Sequence, residues 1–212
     1  MRKKNDFSIW ITTLVCLLPM ILSIVLYDKL PEQVAVHFDS MGKPNGYAPR
    51  FVAAFGIPLL MAAINLFTHV VLNSDPKKGN ASIVMRRIAK WIIPILTVLL
   101  VPATLFMAMG MDIPLQMMVP CFVGVLIIAC GNYMPKSKQN YTVGIKLPWT
   151  LNSETNWNKT HRMAGYVWIA GGILLVLSSF FEVYAFPITI GVILLLAVIP
   201  FLYSYFLYKK GI

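Results

Sequence analysis

Six long stretches of apolar residues, almost free of charged side chains, dominate this chain. The first runs from Ser8 to Leu26 and follows Arg2, Lys3 and Lys4. A helix of about 20 apolar residues just crosses the roughly 30 Å hydrocarbon layer of a membrane. Because 58% of the 212 residues are hydrophobic and only 12% are charged, little remains for a soluble core. We therefore predict an integral membrane protein that crosses the bilayer several times.

The predicted fold class is all-α. Backbone groups inside lipid must satisfy their own hydrogen bonds, and these stretches are too long for the strands of a membrane barrel. The chain shows no internal repeat or long linker, so we predict a single membrane domain, 1–212. Its six transmembrane helices are predicted at 8–27, 51–72, 91–109, 113–131, 163–181 and 184–208. Very short connections at 110–112 and 182–183 predict antiparallel pairing of helix three with four and of helix five with six.

Lysine and arginine are distributed unevenly between the two sides of this arrangement. Fifteen of the 18 basic residues fall on the side that holds both termini and the connections 73–90 and 132–162. The other side holds three basic residues and five of the eight acidic ones. Since positive residues mark the cytoplasmic side, both termini are predicted to be cytoplasmic. The small structured loop 28–50 is then extracellular, and the long loop 132–162 before helix five is cytoplasmic.

The net charge of +10 largely follows from this asymmetry. We predict membrane lipids as partners, because basic residues near the headgroups meet anionic lipid. We predict no direct nucleic-acid partner, because no soluble domain presents basic and aromatic side chains together. The three cysteines fall inside spans and are interpreted as packing residues, so a disulfide framework is not predicted. No cofactor and no metal site is predicted.

The extracellular loop combines a strand pattern with a turn. Apolar side chains recur at every second position from Val34 to Phe38, which is the period of a half-buried strand. Gly42 and the stretch 43–46 then favour a tight turn. We therefore predict a compact cap. The histidine and acids in this loop have two interpretations, a weak cation site or hydrogen bonds that close the turn. The second is preferred because the spacing matches no recognised ligand set.

The cytoplasmic loop carries the most unusual motif in the chain. Its characteristic residues are Gly131-Asn132, Pro135, Lys136, Asn140-Tyr141, Gly144-Ile145, Pro148-Trp149-Thr150, Ser153-Glu154, Trp157, Lys159-Thr160-His161-Arg162 and Gly165. This stretch resembles the signature of the SdpI family of bacterial immunity proteins. The extracellular loop resembles the small amino-terminal domain of unknown function found beside that signature, through His37-Phe38-Asp39, Gly42, Asn45, Tyr47 and Arg50. With the six spans, the two patterns cover essentially the whole chain.

The resemblance implies a function at the bacterial cell membrane. Members protect a bacterium from a secreted membrane-active peptide toxin, and such a receptor can also hold a cytoplasmic transcriptional repressor at the membrane. One departure concerns the residues after Gly144-Ile145, where the family has Arg-Thr and this chain has Lys146-Leu147. Lysine cannot reproduce the bidentate pairing of a guanidinium. Any family role that rests on that arginine is therefore not carried over to this chain.

Two groups of candidate site residues follow. For toxin binding at the extracellular face we select Glu32, His37, Asp39, Tyr47 and Arg50. For cytoplasmic structure and partner contact we select Asn140, Trp149, Glu154, Trp157, His161 and Arg162. Ser153 and Glu154 suit the start of a helix that runs into span five. This helix is interpreted either as a surface helix that ties down the preceding loop or as a docking surface for a partner, with a catalytic Glu/His pair as the remaining alternative.

A separate candidate lies inside the membrane. Asn65 and His69 are four residues apart on span two, so they share one face of that helix. Ionisable groups within the bilayer are functional candidates by default. The alternative, which the predicted position near the cytoplasmic headgroups favours, is a neutral histidine bonded to a neighbouring helix.

The alternative function is a small membrane transporter or exporter. No aspartate or glutamate lies inside a predicted span, so a proton relay would lack its usual carriers. An enzyme is not predicted, because intramembrane hydrolysis needs a nucleophile with a base, an aspartate pair, or metal ligands spaced as His-Glu-x-x-His. No catalytic residue is therefore assigned.

Overall fold

The computed structural model describes residues 7–212, with side chains for all of them except 182–184. The helices are α1 (Ser8–Leu17), α2 (Pro19–Leu26), α3 (Ile57–Ser74), α4 (Ile83–Ala108), α5 (Leu115–Tyr133), α6 (Pro148–Asn152), α7 (Glu154–Ser178) and α8 (Glu182–Lys209). The strands are β1 (Gln33–Phe38) and β2 (Pro44–Pro49). Arg2, Lys3 and Lys4, which the sequence analysis placed on the cytoplasmic side, lie outside the described residues.

Six helical segments of the described chain are long and apolar enough to cross a membrane: Ser8–Lys29, Val52–Ser74, Ile83–Ala108, Leu115–Lys136, Glu154–Ser178 and Ala185–Lys209. The predicted all-α fold with six candidate spans is confirmed. The third and fifth helices begin eight or nine residues before their predicted spans, because the basic turns ahead of the apolar stretches are also helical. Which side of the membrane each loop faces stays a prediction.

Two of the spans contain local irregularities next to a proline. Between α1 and α2, Pro19 provides no N–H, but the N–H of Leu18 still donates to the carbonyls of Leu14 and Val15. The chain therefore continues as one span. Before α3, residues Val52–Gly56 form a π-helical turn in which the N–H of Ile57 donates to the carbonyl of Val52. Such wider turns keep backbone groups paired inside lipid where a proline follows, here Pro58.

The chain divides into two compact units, each with its own interior. The first contains the described residues up to Val71 together with Arg87–Ile113. Its core joins the base of the hairpin to α4 and to the π-helical turn, and consists of Leu30, Val34, Ala53, Ala54, Val101 and Leu105. The Ser23 hydroxyl donates to the carbonyl of Ala54 over 2.8 Å, which fixes α2 against that turn.

The loop 28–50, predicted to be extracellular, forms the hairpin β1–β2. The strands are antiparallel, with Val34 opposite Ala48, and the register shifts around His37. The turn is closed by the N–H of Asp39, which donates to the carbonyl of Lys43 over 2.8 Å. Gly42 adopts φ 75°, a conformation that glycine enters at low cost. The strand pattern and turn residues in the sequence therefore correspond to a real hairpin, whose β1 side is anchored in the core by Val34.

The second unit contains Leu72–Arg86 and Pro114–Ile212. In it α7 packs against both α5 and α8. The contact with α5 depends on two pairs of facing glycines, Gly124 with Gly172 and Gly131 with Gly165. A Cβ added at Gly124 would lie 2.7 Å from the carbonyl oxygen of Gly172, and one at Gly131 would lie 2.9 Å from that of Gly165. Because small residues let helix backbones approach closely in membranes, these pairs set the spacing of α5 and α7.

Candidate functional site

The motif of the loop 132–162, predicted to be cytoplasmic, is organised around Trp157, whose side chain is fully buried. Its indole N–H donates to the carbonyl of Ser137 over 2.8 Å, which ties the start of α7 to the segment after α5. His161, one helical turn further along, stacks on the indole with ring centroids 3.9 Å apart. The two residues form a rigid aromatic pair beneath the loop that precedes α6.

His161 uses both ring nitrogens within this core. Its Nδ1 donates to the carbonyl of Trp157 over 2.8 Å, and its Nε2 accepts the N–H of Ile145 over 2.9 Å. These partners define a neutral ring with the proton on Nδ1. Gly144 passes over this ring with φ 120°, and a Cβ added there would clash with Nε2. The histidine therefore holds the loop backbone in a conformation that only glycine can supply.

Asn140 shapes the same loop from inside. The side chain is fully buried, and its Oδ1 accepts the N–H of Val143 over 2.7 Å and the N–H of Thr142 over 3.1 Å. Its Nδ2 donates to the carbonyl of Lys138 over 2.9 Å. One amide thus satisfies three backbone groups of an irregular segment, which is the usual requirement for burying such a loop.

The segment after α3 is pinned to this loop by Asp75, a nearly buried carboxylate. Its Oδ1 accepts the N–H of Lys77 over 2.7 Å. Its Oδ2 accepts the N–H of Tyr141 over 3.0 Å and the hydroxyl of Thr142 over 2.8 Å. Burial alone would raise the pKa of Asp75, but these hydrogen bonds outweigh it and hold the pKa below its ordinary value. The carboxylate stays charged and links two connections that are far apart in the chain.

The start of α7 is joined to α8 by Asn156, which is fully buried. Its Nδ2 donates to the carbonyl of Ser204 over 3.0 Å, and its Oδ1 accepts the Ser204 hydroxyl over 2.7 Å. Ser153 caps the helix, since its hydroxyl accepts the N–H of Asn156 over 3.2 Å. A helix start at this point was predicted from Ser153 and Glu154.

The six residues selected for this face fall into two groups. Asn140, Trp157 and His161 are buried, with at most 1% of the side chain exposed, which favours the structural half of their prediction. Glu154 and Arg162 are exposed, and Trp149 is half-buried against Phe201, Tyr205 and Tyr208 of α8. Partner contact at these last three stays a prediction.

The five residues selected for toxin binding all lie on or beside the hairpin. Glu32, His37, Asp39 and Tyr47 are exposed, and Arg50 is half-buried with its guanidinium 4.8 Å from the ring centroid of Tyr27. The Asp39 carboxylate accepts the N–H groups of Met41 and Lys43 within the turn. His37 is hydrogen-bonded to the side chain of Asn45 across the hairpin. These bonds correspond to the turn-closing interpretation of the histidine and the acid.

The intramembrane pair Asn65 and His69 faces α1 within the first unit, and both side chains are fully buried. The Asn65 Nδ2 donates to the hydroxyls of Thr12 and Thr13, each over 3.0 Å. The Nε2 of His69 lies 2.9 Å from the Thr12 hydroxyl. This polar contact between α1 and α3 favours the interpretation of His69 as a residue that joins neighbouring helices.

Comparison with known proteins places this arrangement in a family. The model of the SdpI/YfhL protein family matches residues 136–204, and that of a domain of unknown function (DUF1648) matches residues 14–62. The immunity protein SdpI of Bacillus subtilis (strain 168) is 33% identical over 209 residues, which cover 98% of this chain and 97% of that protein. The chain belongs to the SdpI/YfhL family. No solved structure gives a significant match.

The two family matches correspond to the two regions described above. The SdpI/YfhL match contains most of the loop 132–162 with α6, α7 and most of α8. The DUF1648 match contains the hairpin with parts of the spans on either side. Lys146, where this chain departs from the signature, is exposed and its ammonium donates to the carbonyl of Thr142 over 3.2 Å. This single hydrogen bond stays within the loop. It needs only one N–H donor, which lysine can supply without the paired N–H groups of an arginine.

Some residues of this SdpI/YfhL protein that organise the motif were not selected from the sequence. Asp75 is the clearest, and the Asp-Pro pair two residues after an apolar stretch was the available signal, since aspartate often accepts backbone N–H groups in a turn. The four glycines between α5 and α7 are also informative in hindsight. They are spaced seven apart on both helices, which is a recognisable pattern of close packing.

Proposed function

We propose that this protein is an immunity protein, which protects the cell that makes it from a secreted membrane-active peptide toxin. The observation that supports this most is the full-length similarity to the immunity protein SdpI of Bacillus subtilis. Because the similarity covers hairpin, spans and cytoplasmic motif alike, the proposal concerns the whole chain. It assigns no catalytic step to the protein.

The hairpin supplies the proposed toxin-binding surface. It is held by a buried apolar base, so its exposed side chains are presented on a rigid support. Glu32 and Asp39 offer negative charge, and Tyr47 offers a large ring that is 61% exposed. An amphipathic peptide with basic and apolar side chains would find both kinds of contact here. Capture at this surface would keep the toxin from inserting into the bilayer.

The experiment compares survival of toxin-sensitive cells that carry the wild-type protein, no protein, or a hairpin variant. The variants are Glu32→Ala, His37→Ala, Tyr47→Ala and Arg50→Ala, and Met111→Ala is the matched control. Met111 is exposed in the connection after α4, which is predicted to face the same side. We expect at least one hairpin variant to lower the tolerated toxin concentration about tenfold or more, as residues central to binding do.

The outcomes separate the two parts of the proposal. If the wild-type protein gives no protection compared with cells that lack it, immunity itself is rejected. If the wild type protects and every hairpin variant protects equally, at equal amounts of protein in the membrane, the toxin binds elsewhere. If Met111→Ala lowers the tolerated toxin concentration as much as the hairpin variants do, a specific hairpin surface is also rejected.

We also propose a signalling role at the cytoplasmic face. There the exposed Glu154 and Arg162, together with Trp149, would contact a transcriptional repressor. On α7, Arg162 directly follows the buried His161, and Glu154 lies three residues before the buried Trp157. A change in this buried pair would therefore act first on these two exposed residues. The test is co-purification of a repressor with the membrane fraction before and after toxin is added. Glu154→Gln and Arg162→Gln should reduce recovery while protection is retained, and unchanged recovery in both variants would reject this surface.

A further inference from the structure

A cleft of about 420 Å³ opens between the end of α5 and the first turns of α7, inside the second unit. Six of its lining residues define its chemistry: Asn132, Lys136, Asn158, Arg162, Tyr166 and Ile169. Two are cations, two are amides, and no carboxylate is among the lining residues. The cleft therefore favours an anion with several hydrogen-bond acceptors.

The position of the cleft is fixed by backbone contacts beneath it. Gly131 and Gly165, which also line it, face each other so closely that neither could carry a Cβ without meeting the other's carbonyl oxygen. On α7 the side chains of Asn158, Arg162 and Tyr166 follow at steps of four and so share one face. The close packing of the two helix backbones thus holds these polar side chains in fixed positions along the cleft.

The two cations are available for a ligand. Within residues 7–212, the Arg162 side chain is exposed and makes no hydrogen bond or ion pair with another described residue. The Lys136 ammonium lies 4.3 Å from the ring centroid of Tyr133, a contact that leaves its N–H groups free to donate. A guanidinium pairs with phosphate oxygens through two parallel hydrogen bonds, and lysine adds a point charge.

We propose that this cleft binds a phosphate ester, supplied by the headgroup of an anionic membrane phospholipid. The cations and amides lie where α5 ends and α7 begins, whereas Ile169 lies about two turns further into the span. This change from polar to apolar follows the order of a lipid, with its headgroup above its acyl chains. Basic pockets between membrane helices bind lipid headgroups in this way. A free phosphate ion would use the polar end alone.

The experiment measures lipid binding by the purified full-length protein, without any toxin. Protein in a neutral detergent receives phosphatidylglycerol, phosphatidylcholine or inorganic phosphate, and native mass spectrometry counts the bound molecules. Arg162→Gln, Lys136→Gln and the double variant are compared with Lys159→Gln, which removes an equal charge from an exposed position of α7 outside the cleft. We expect each cleft variant to weaken phosphatidylglycerol binding about fivefold, as the loss of one cation near an anionic lipid predicts. Phosphatidylcholine binding and the control should stay unchanged.

Three results would overturn the proposal. One is phosphatidylglycerol binding that the double variant leaves at the wild-type level. Another is an equal loss in Lys159→Gln, which would assign the effect to general surface charge. The third is a protein that binds inorganic phosphate through Arg162 and Lys136 but binds the two lipids equally. That result would assign the cleft to a soluble phosphate. Equal melting temperatures in phosphatidylcholine check that the variants are folded.

Discussion

The Asp75 carboxylate accepts one hydrogen bond from its own connection, from the N–H of Lys77. It accepts two more from the loop before α6, from the N–H of Tyr141 and the hydroxyl of Thr142. In Asp75→Asn one acceptor oxygen becomes an NH₂ group that faces N–H or O–H donors, so at least one of these bonds is lost. Hydrogen bonds to a charged group contribute about 1.5–3 kcal/mol. We expect the free energy of unfolding to fall by about that amount, seen as a lower melting temperature in detergent at pH 7. Asp112→Asn, which changes an exposed acid, should have no such effect.

The same carboxylate predicts a pH dependence with a defined sign. The pKa of Asp75 is lower in the folded protein than in the unfolded chain, because its hydrogen bonds favour the charged form. Its contribution to stability is therefore complete above the unfolded pKa of about 3.9 and disappears as the pH falls through the folded pKa. Melting temperatures of wild type and Asp75→Asn should converge as the pH is lowered from 5 to 2. A gap that stays constant over this range would contradict the assigned role.

Gly144 is the residue where the loop backbone and the His161 ring approach most closely. Gly144→Ala would place a methyl group against Nε2 and force an alanine into φ 120°, which costs about 1–3 kcal/mol for the backbone alone. We expect a strong loss of folded protein, measured as melting temperature and as yield after extraction. Gly79→Ala is the control, because nothing lies within 4 Å of its added Cβ. Equal behaviour of the two variants would mean that the loop is not held by His161.

Single residues show what the sequence could and could not reveal. Ser153 was recognised as a helix start because its cap is local, three residues from its partner. The bond from Thr142 to Asp75 joins residues 67 apart, and no spacing rule predicts such a partner. His161 was selected for a structural role or partner contact, but its burial could not be read from the sequence, since a polar residue on a polar helix face gives no sign that it turns inward.

At the scale of helices, the contact between α5 and α7 depends on its glycine pairs. Gly124→Ala would place a Cβ 2.7 Å from the carbonyl oxygen of Gly172, so the helices must separate and lose packing along their length. We expect a lower melting temperature in lipid nanodiscs. Gly191→Ala on α8 is the matched control, because its Cβ would meet no atom within 4 Å. Alanine there should be neutral or stabilise the helix by up to about 1 kcal/mol. A lower melting temperature in both variants would indicate a general intolerance of alanine.

The helices themselves were largely readable from the sequence, because hydrocarbon imposes the same length and composition on every span. The hairpin was readable as well, through its alternation and its glycine turn. The start of α4 was not, since its first turns contain basic residues that hydropathy assigns to a loop. The start of α7 was marked by Ser153 and Glu154. The packing of α7 against α8 agrees with the antiparallel pairing that their short connection predicts. The packing of α5 against α7 was beyond the sequence, because apolar spans give no preference for one neighbour over another until small residues such as Gly131 and Gly165 are paired.

For the whole molecule, the strongest constraint on function is the number of crossings between the two functional regions. The hairpin follows the first candidate span and the cytoplasmic motif precedes the fifth, so three spans lie between them. If all three cross, we expect the two regions to face opposite sides of the membrane. This separation is required if one region meets an external toxin and the other meets a cytoplasmic partner.

Cysteine labelling in intact cells tests this separation. Ser40→Cys and Thr155→Cys change exposed residues of similar size, one in the hairpin turn and one in the first turn of α7. Both are made after Cys16, Cys121 and Cys130 have been replaced by alanine. Because charge asymmetry orients the chain with the hairpin outside, a membrane-impermeant maleimide should label Ser40→Cys at once and Thr155→Cys only after permeabilisation. Labelling of both sites in sealed cells would mean that one of the three intervening helices does not cross the bilayer, and the division between an outer recognition surface and an inner output would then fail.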